Sequence, residues 1–225
     1  MGRRKSGETR EKLLTAASDV FVDRGFRDAT VAEICRRAGA NISAVNYYFG
    51  SKEALYQEAW RHSFAASIKI HPPDGGVSAD APAAERLRGQ VRALIARIAD
   101  RDNRDFFISQ MEFINPTGLL AEVMESELIP LRRNTLALMH DLLGPGIPIQ
   151  QVVFCEVCII SMCIHPILMQ KIRRETEGPD IINDLEAFTN QVLTFALAGI
   201  AAIKSADPPS GPALRDGAAA ATTAW

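Results

Sequence analysis

Residues 30–52 read Thr-Val-Ala-Glu-Ile-Cys-Arg-Arg-Ala-Gly-Ala-Asn-Ile-Ser-Ala-Val-Asn-Tyr-Tyr-Phe-Gly-Ser-Lys, and that order predicts two short helices around a tight turn. Thr30 followed by Glu33 is a capping box, in which hydroxyl and carboxylate satisfy each other's orphan amides. Val31, Ile34, Cys35 and Ala38 recur at helical spacing, and Gly39 supplies the left-handed residue that stops the helix. Asn41 can cap a second helix over 42–48, whose exposed face carries Ser43, Ala44, Asn46 and Tyr47. Helix, glycine-containing turn and second helix make the helix-turn-helix that reads DNA.

Working outward, the periodicity predicts a first helix over about 9–24 with Leu13, Leu14, Ala17, Val20 and Phe21 on one face and Gly25 closing it. Ser51 caps a fourth helix from Lys52 to about Ile70, and His71-Pro72-Pro73-Asp74-Gly75-Gly76 breaks it. Residues 71–82 are therefore read as a loop. From Ala83 onward every segment has helical period, with helices expected at about 83–101, 103–114, 118–143, 149–176 and 180–204. Pro130 and Pro166 fall inside two of these and are expected to kink or divide them. The fold class is all-α: a DNA-binding head over 1–50, a helical body over 51–204 and a disordered tail over 205–225 rich in Pro, Gly and Ala.

The 225 residues carry 47% apolar and 23% charged side chains, the proportions of an ordinary globular protein, and a net charge of −2. That average hides a division. Residues 1–61 hold 11 Lys and Arg against 8 Asp and Glu, and the remainder 14 against 19. A basic head on an acidic body suits a site-specific binder, because phosphate neutralisation needs only local charge. The start carries no apolar signal segment and no uninterrupted apolar run reaches about 18 residues, so the expected location is the cytoplasm, with no membrane partner. Four cysteines, three within nine residues of one segment, do not form the pattern of a secreted disulfide framework. No nucleophile elbow, phosphate loop or His-Glu metal helix is present, so neither an enzyme nor a cofactor is implied.

Residues 9–55 resemble the TetR family of bacterial transcriptional regulators. The resemblance is carried by Phe21-Val22-Asp23-Arg24-Gly25-Phe26, by Thr30 with Val31-Ala32-Glu33-Ile34, by Ala38-Gly39, and by Tyr47-Tyr48-Phe49-Gly50-Ser51-Lys52-Glu53-Ala54-Leu55. Gln110-Met111-Glu112-Phe113-Ile114-Asn115-Pro116-Thr117 and Asn46-Tyr47-Tyr48-Phe49-Gly50 are similar to the CecR-like subset. Cys35 stands where the family usually has Ala, and Ala40-Asn41 replaces a common Val-Ser. The resemblance implies that the second helix of the motif enters the major groove, with Ser43, Ala44 and Asn46 at base edges. Asn46 has the donor and acceptor to pair adenine. Thr30, Tyr47, Tyr48 and Lys52 would then hold phosphates, and Arg3, Arg4 and Lys5 would form a flexible arm for phosphate or minor groove.

The same resemblance implies a homodimer through the last two long helices, with Phe154, Val157, Ile160, Ile164, Phe188, Val192, Phe195 and Ile203 at the seam. It also implies a double-stranded palindromic operator and a small-molecule effector whose binding releases a repressor from that DNA. Phe106, Phe107, Met111, Phe113 and Met139 are the candidates for an apolar effector cavity, beside the plainer reading that they are core. Cys155, Cys158, Met162 and His165 follow spacings of three, four and three, a soft-ligand stripe. A metal- or redox-responsive regulator sensing through Cys155, Cys158 and His165 is the alternative, beside the reading of these cysteines as small buried hydrophobes.

Overall fold

The computed structural model describes residues 2–175 and 182–205. Among the described residues nine helices run in the order α1 (Gly2–Asp28), α2 (Val31–Ala38), α3 (Ile42–Phe49), α4 (Lys52–Ile70), α5 (Ala83–Ala99), α6 (Arg104–Ile114), α7 (Ala121–Leu143), α8 (Ile149–Glu175) and α9 (Leu185–Ser205). No strand occurs among them. The all-α expectation is met, and the predicted ends fall within a few residues of the observed ones for α2–α8. The predicted tail lies outside the described residues from 206 onward, as does the Gly178-Pro179 break.

Caps set the ends of the head helices. Thr30 Oγ1 accepts from the Glu33 amide at 3.2 Å, Asn41 Oδ1 from Ser43 at 3.1 Å, and Ser51 Oγ from Ala54 at 3.1 Å. The capping box is half of what the sequence implies, because the Glu33 carboxylate pairs with Arg24 (2.9 Å) and Arg37 (3.0 Å). Gly39 ends α2 in the left-handed conformation. Gly25, at φ 69°, breaks α1 without ending it. The short turn beyond it folds Phe26 onto Phe21 and Tyr56. α1 also starts about two turns early, despite the glycines at 2 and 7, and Lys12 pairs with Glu8 one turn back at 2.6 Å. Arg3, Arg4 and Lys5, expected as an arm, therefore lie on helical backbone.

The described residues form two apolar cores. The first gathers Leu13, Val20, Phe21, Ile34, Val45, Leu55, Tyr56 and Trp60 of α1–α4 with Ile108 of α6 and Leu120, Val123 and Met124 around the start of α7. The second holds Leu87, Val91 and Ile95 of α5 with Leu138 and Leu143 of α7, Val152, Ile159 and Cys163 of α8, and Val192, Leu193 and Ala196 of α9. α7 has its first turn in one core and its last turns in the other, and it runs through Pro130 undivided. α8 likewise continues through Pro166. Packing on both sides holds each helix across its missing hydrogen bond, overriding the local breaker signal.

The 71–82 loop lies directly on α5, backbone against backbone. A Cβ on Gly89 would stand 2.4 Å from the Asp74 carbonyl oxygen and 2.7 Å from Val77 Cγ2. Alanine is the better helix former, yet here it has no room. Gly89→Ala is expected to lower unfolding free energy by about 1–3 kcal/mol in urea denaturation, whereas Gly7→Ala, which meets nothing within 4 Å, is expected to leave it unchanged or raise it.

Candidate DNA-reading face and body cavity

The outer face of α3 is built by the caps on either side of it. Ser43, Asn46 and Tyr47 are exposed on it, Tyr47 to 79%. Ile42, not anticipated as a surface contact, is exposed beside them. Ala44 differs from the expectation of an exposed residue: it is half-buried and packs against the head core. Tyr48 and Phe49 are also half-buried against that core, and Tyr48 meets Tyr47 edge to face at 4.9 Å. Phe49 is covered by the Arg10 guanidinium at 5.4 Å. Lys52 lies over the Phe26 ring at 4.4 Å and donates to the Arg27 carbonyl at 3.4 Å. Thr30 is exposed at the head of α2 with its hydroxyl engaged as the cap.

α6 joins this head to the body. Trp60 Nε1 donates to Ser109 Oγ at 2.8 Å and to the Asp105 carbonyl at 3.2 Å. The Tyr56 hydroxyl donates to Glu112 at 3.2 Å, and burial followed by the Glu112 charge pushes that phenol far up. Glu112, buried, accepts further bonds from the Thr117 amide and hydroxyl and the Gly118 amide at 2.8–2.9 Å. Gln57 reaches the Leu119 carbonyl at 2.7 Å, and Arg27 reaches Asn115 and the Pro116 carbonyl.

The other side of α6 faces a cavity of about 230 Å³ bordered by α5, α7 and α8, with Trp60, His71 and Pro73 at its edge. Phe106, Phe113 and Met139 line it, as the sequence leads one to expect. Phe107 and Met111 do not. Met111 instead sits against Gly25, its Cε 3.3 Å from where a Cβ would be, on the α1 side of α6. Five residues from Phe106 to Met111 are 500° of helix, which separates the two by 140°. Ile160 and Ile164, expected at a subunit seam, line the cavity as well. Val192 is buried in the second core, and Phe188 and Ile203 pack against it. The outward stripe is Phe154, Val157, Cys158, Ser161 and His165 on α8 with Phe195, Ala198, Gly199 and Ala202 on α9.

Two ion pairs line the cavity that the sequence reading did not find. Arg97 pairs with Asp105 and Arg132 with Glu156, the latter at 3.2 Å. Burial raises the proton affinity of both carboxyls against the opposing pull of their arginines. A charged Glu156 inside the run Val-Val-Phe-Cys-Glu-Val-Cys-Ile-Ile is the signal that was there to read. At its margin His71 meets Asp100 at 2.9 Å, and that hydrogen bond holds the Asp100 carboxyl below its ordinary value.

The cysteine stripe separates. Cys155 and Cys163 are buried and Cys158 is exposed with His165, since a three-residue step turns the helix by 60°. Burial raises the Cys155 thiol and pushes Cys163 up to about 12, the opposite of an activated thiolate. Among the described residues no group of three or more His, Cys, Asp or Glu is placed to hold a metal ion. α8 and α9 are long and apolar enough to cross a membrane by composition. One face of each packs in the second core, and α8 carries the buried Glu156 paired with Arg132 of α7.

A capped recognition helix on a three-helix head, joined to an all-helical body enclosing a cavity, defines a helix-turn-helix transcriptional regulator. Residues 13–59 match the family described as bacterial regulatory proteins, tetR family, and residues 83–200 the C-terminal domain of the HTH-type transcriptional dual regulator CecR. The chain therefore belongs to the TetR family of DNA-binding transcriptional regulators, in its CecR-like branch, and is not an enzyme. CecR of Shigella flexneri is 32% identical over 154 residues, covering 60% of this chain and 65% of that protein. The regulator YdgC of Bacillus subtilis is 46% identical over 54 residues, 24% and 28% of the two chains. The chain thus spans less than two thirds of either relative. A TetR-like regulator from Rhodococcus sp. RHA1 superimposes with a TM-score of 0.64 at 18% identity, over 86% of this chain and 96% of its own.

The two buried acids give stability a definite pH dependence. Their folded proton affinity is raised, so their contribution is greatest below the ordinary carboxylate range, about pH 4, and is lost as pH rises through the folded value. Glu156→Gln is expected to flatten the fall of melting temperature with rising pH from that range upward, as read by circular dichroism across a pH series.

Proposed function

We propose that this regulator is a homodimeric repressor of the cytoplasm that binds a palindromic operator and leaves it when a small molecule fills the body cavity. One observation carries the reading: α6 borders the cavity on one side and is hydrogen-bonded to α4 and the head on the other. Residues 1–50 act as the reading head and 51–204 as the body. Ser43, Asn46 and Tyr47 meet the DNA, Asn46 at a base edge, with Thr30, Tyr48, Lys52 and the basic Arg3, Arg4 and Lys5 at phosphates. Ala44 borders a thymine methyl from the edge of the face.

Dimerisation uses the outward stripe. Phe154 and Phe195 are 58% and 62% exposed, more than single surface hydrophobes need to be, and Ala198 and Gly199 allow two α9 helices a close approach. An isologous contact then sets two α3 helices one helical turn of DNA apart. A ligand that fits the cavity only when α6 moves binds the DNA-incompetent arrangement better, and that differential affinity, about 1–3 kcal/mol in typical allostery, releases the operator.

Selection of bound sequences from a random DNA library at near-physiological salt tests the whole reading. An enriched palindrome is expected; folded protein that enriches no sequence overturns it. Asn46→Ala should cost about 1–3 kcal/mol of discrimination at one base position in each half-site, and Lys52→Ala should weaken all sites alike and flatten the salt dependence. Phe154→Asp combined with Phe195→Asp should give a monomer in sedimentation equilibrium and reduce operator affinity at least about tenfold, through loss of the linked second head.

A further inference from the structure

The two ion pairs of the cavity share an asymmetry. In Arg97–Asp105 the side chains are 15% and 2% exposed, and in Arg132–Glu156 20% and 2%. Each acid is sealed behind its arginine, and at the Arg97 pair the guanidinium is the group presented to the cavity. Arg97 is held from three directions: Nε donates to Ser67 Oγ at 2.7 Å, Nη2 donates to Asp105, and its plane lies 5.0 Å from the Phe64 ring centre. Nη1 makes no hydrogen bond to any described residue. A guanidinium fixed on two edges and open on the third is a preformed receptor for an oxyanion, because its ordering is complete before the ligand arrives.

The walls around it are mostly aliphatic and aromatic, with Val91 and Leu94 on α5, Met139 on α7, and Ile160 and Ile164 on α8. At about 230 Å³ the space lies below the usual range for drug-sized ligands, roughly 300–1,000 Å³. Both carboxylates are almost wholly covered. The Asp105 oxygen that accepts no hydrogen bond, Oδ1, is closed off from the cavity surface.

We infer that the cavity takes an amphipathic carboxylate of medium chain length, its head group on Nη1 of Arg97 and its apolar chain along Val91, Leu94, Met139, Ile160 and Ile164. This rests on the reading of the cavity as the effector site. The head group then sits where α4, α5 and α6 converge. An oxyanion there becomes a third partner of the guanidinium that already joins Ser67 of α4 to Asp105 of α6, which connects occupancy of the cavity to the helices that carry the head.

The test is calorimetric titration of the full chain, near neutral pH, with octanoate and decanoate and with the amines and alcohols of the same chain lengths. The carboxylates are expected to bind roughly tenfold or more tightly than either counterpart, the ratio typical of a charge-assisted hydrogen bond. The paired change Arg97→Gln with Asp105→Asn replaces the ion pair by amides of similar shape and should abolish that preference while alcohol binding remains. Equal or tighter binding of amine or alcohol, binding of none of the three classes, or a preference that persists in the folded double variant overturns the inference. Operator release followed by fluorescence anisotropy separates it from the reading beneath. Carboxylate binding without release overturns the effector role and leaves the ligand class standing. Release by an amine without carboxylate binding does the reverse.

Discussion

Two aromatic side chains on α4 have polar edges that cannot be left bare in a core, and the fold is arranged around that requirement. Trp60 and Tyr56 are fully buried, so their N–H and O–H need partners inside the protein. α6 supplies both, through Ser109 with the Asp105 carbonyl and through Glu112. Glu112 in turn needs more donors than a tyrosine provides, and the Thr117–Gly118 turn gives them. The path from head to α7 is thus a chain of satisfied polar groups, each fixing the next.

That chain makes α6 a shared wall. One side belongs to the head core through Ile108, and the other, through Phe106 and Phe113, belongs to the cavity. A movement of α6 perturbs Tyr56 and Trp60 together, and both lie on α4. The head does not hang from the body by a linker; its core continues into it.

The sequence was most informative where structure is local. Thr30, Asn41 and Ser51 cap the helices they were expected to cap, and Gly39 turns where it should, because these interactions span only a few residues. Helical period also showed α8 and α9 to be apolar, yet of the eight residues expected at the seam only Phe154, Val157 and Phe195 are exposed. Period does not say what covers a face, however. Ile160 and Ile164 turn to the cavity and Val192 to the second core, while Cys155 and Cys158 part company across a boundary that depends on where α5 and α7 lie. Arg97 and Asp105 escaped notice for a similar reason. Eight residues apart on different helices, they look in sequence like ordinary solvated charges, and only the fold brings them together against Ser67 and Phe64.

The contact between the 71–82 loop and α5 has a consequence for how this chain can drift. A Cβ on Gly75 would stand 2.4 Å from the Gly89 carbonyl oxygen, and a Cβ on Gly89 would stand 2.4 Å from the carbonyl oxygen of Asp74 beside Gly75. Neither position can change alone while the loop keeps its course. A descendant that carries a side chain at either one must have re-routed the loop, so the pair serves as a marker of whether the wall around Pro73 and His71 has been inherited or rebuilt.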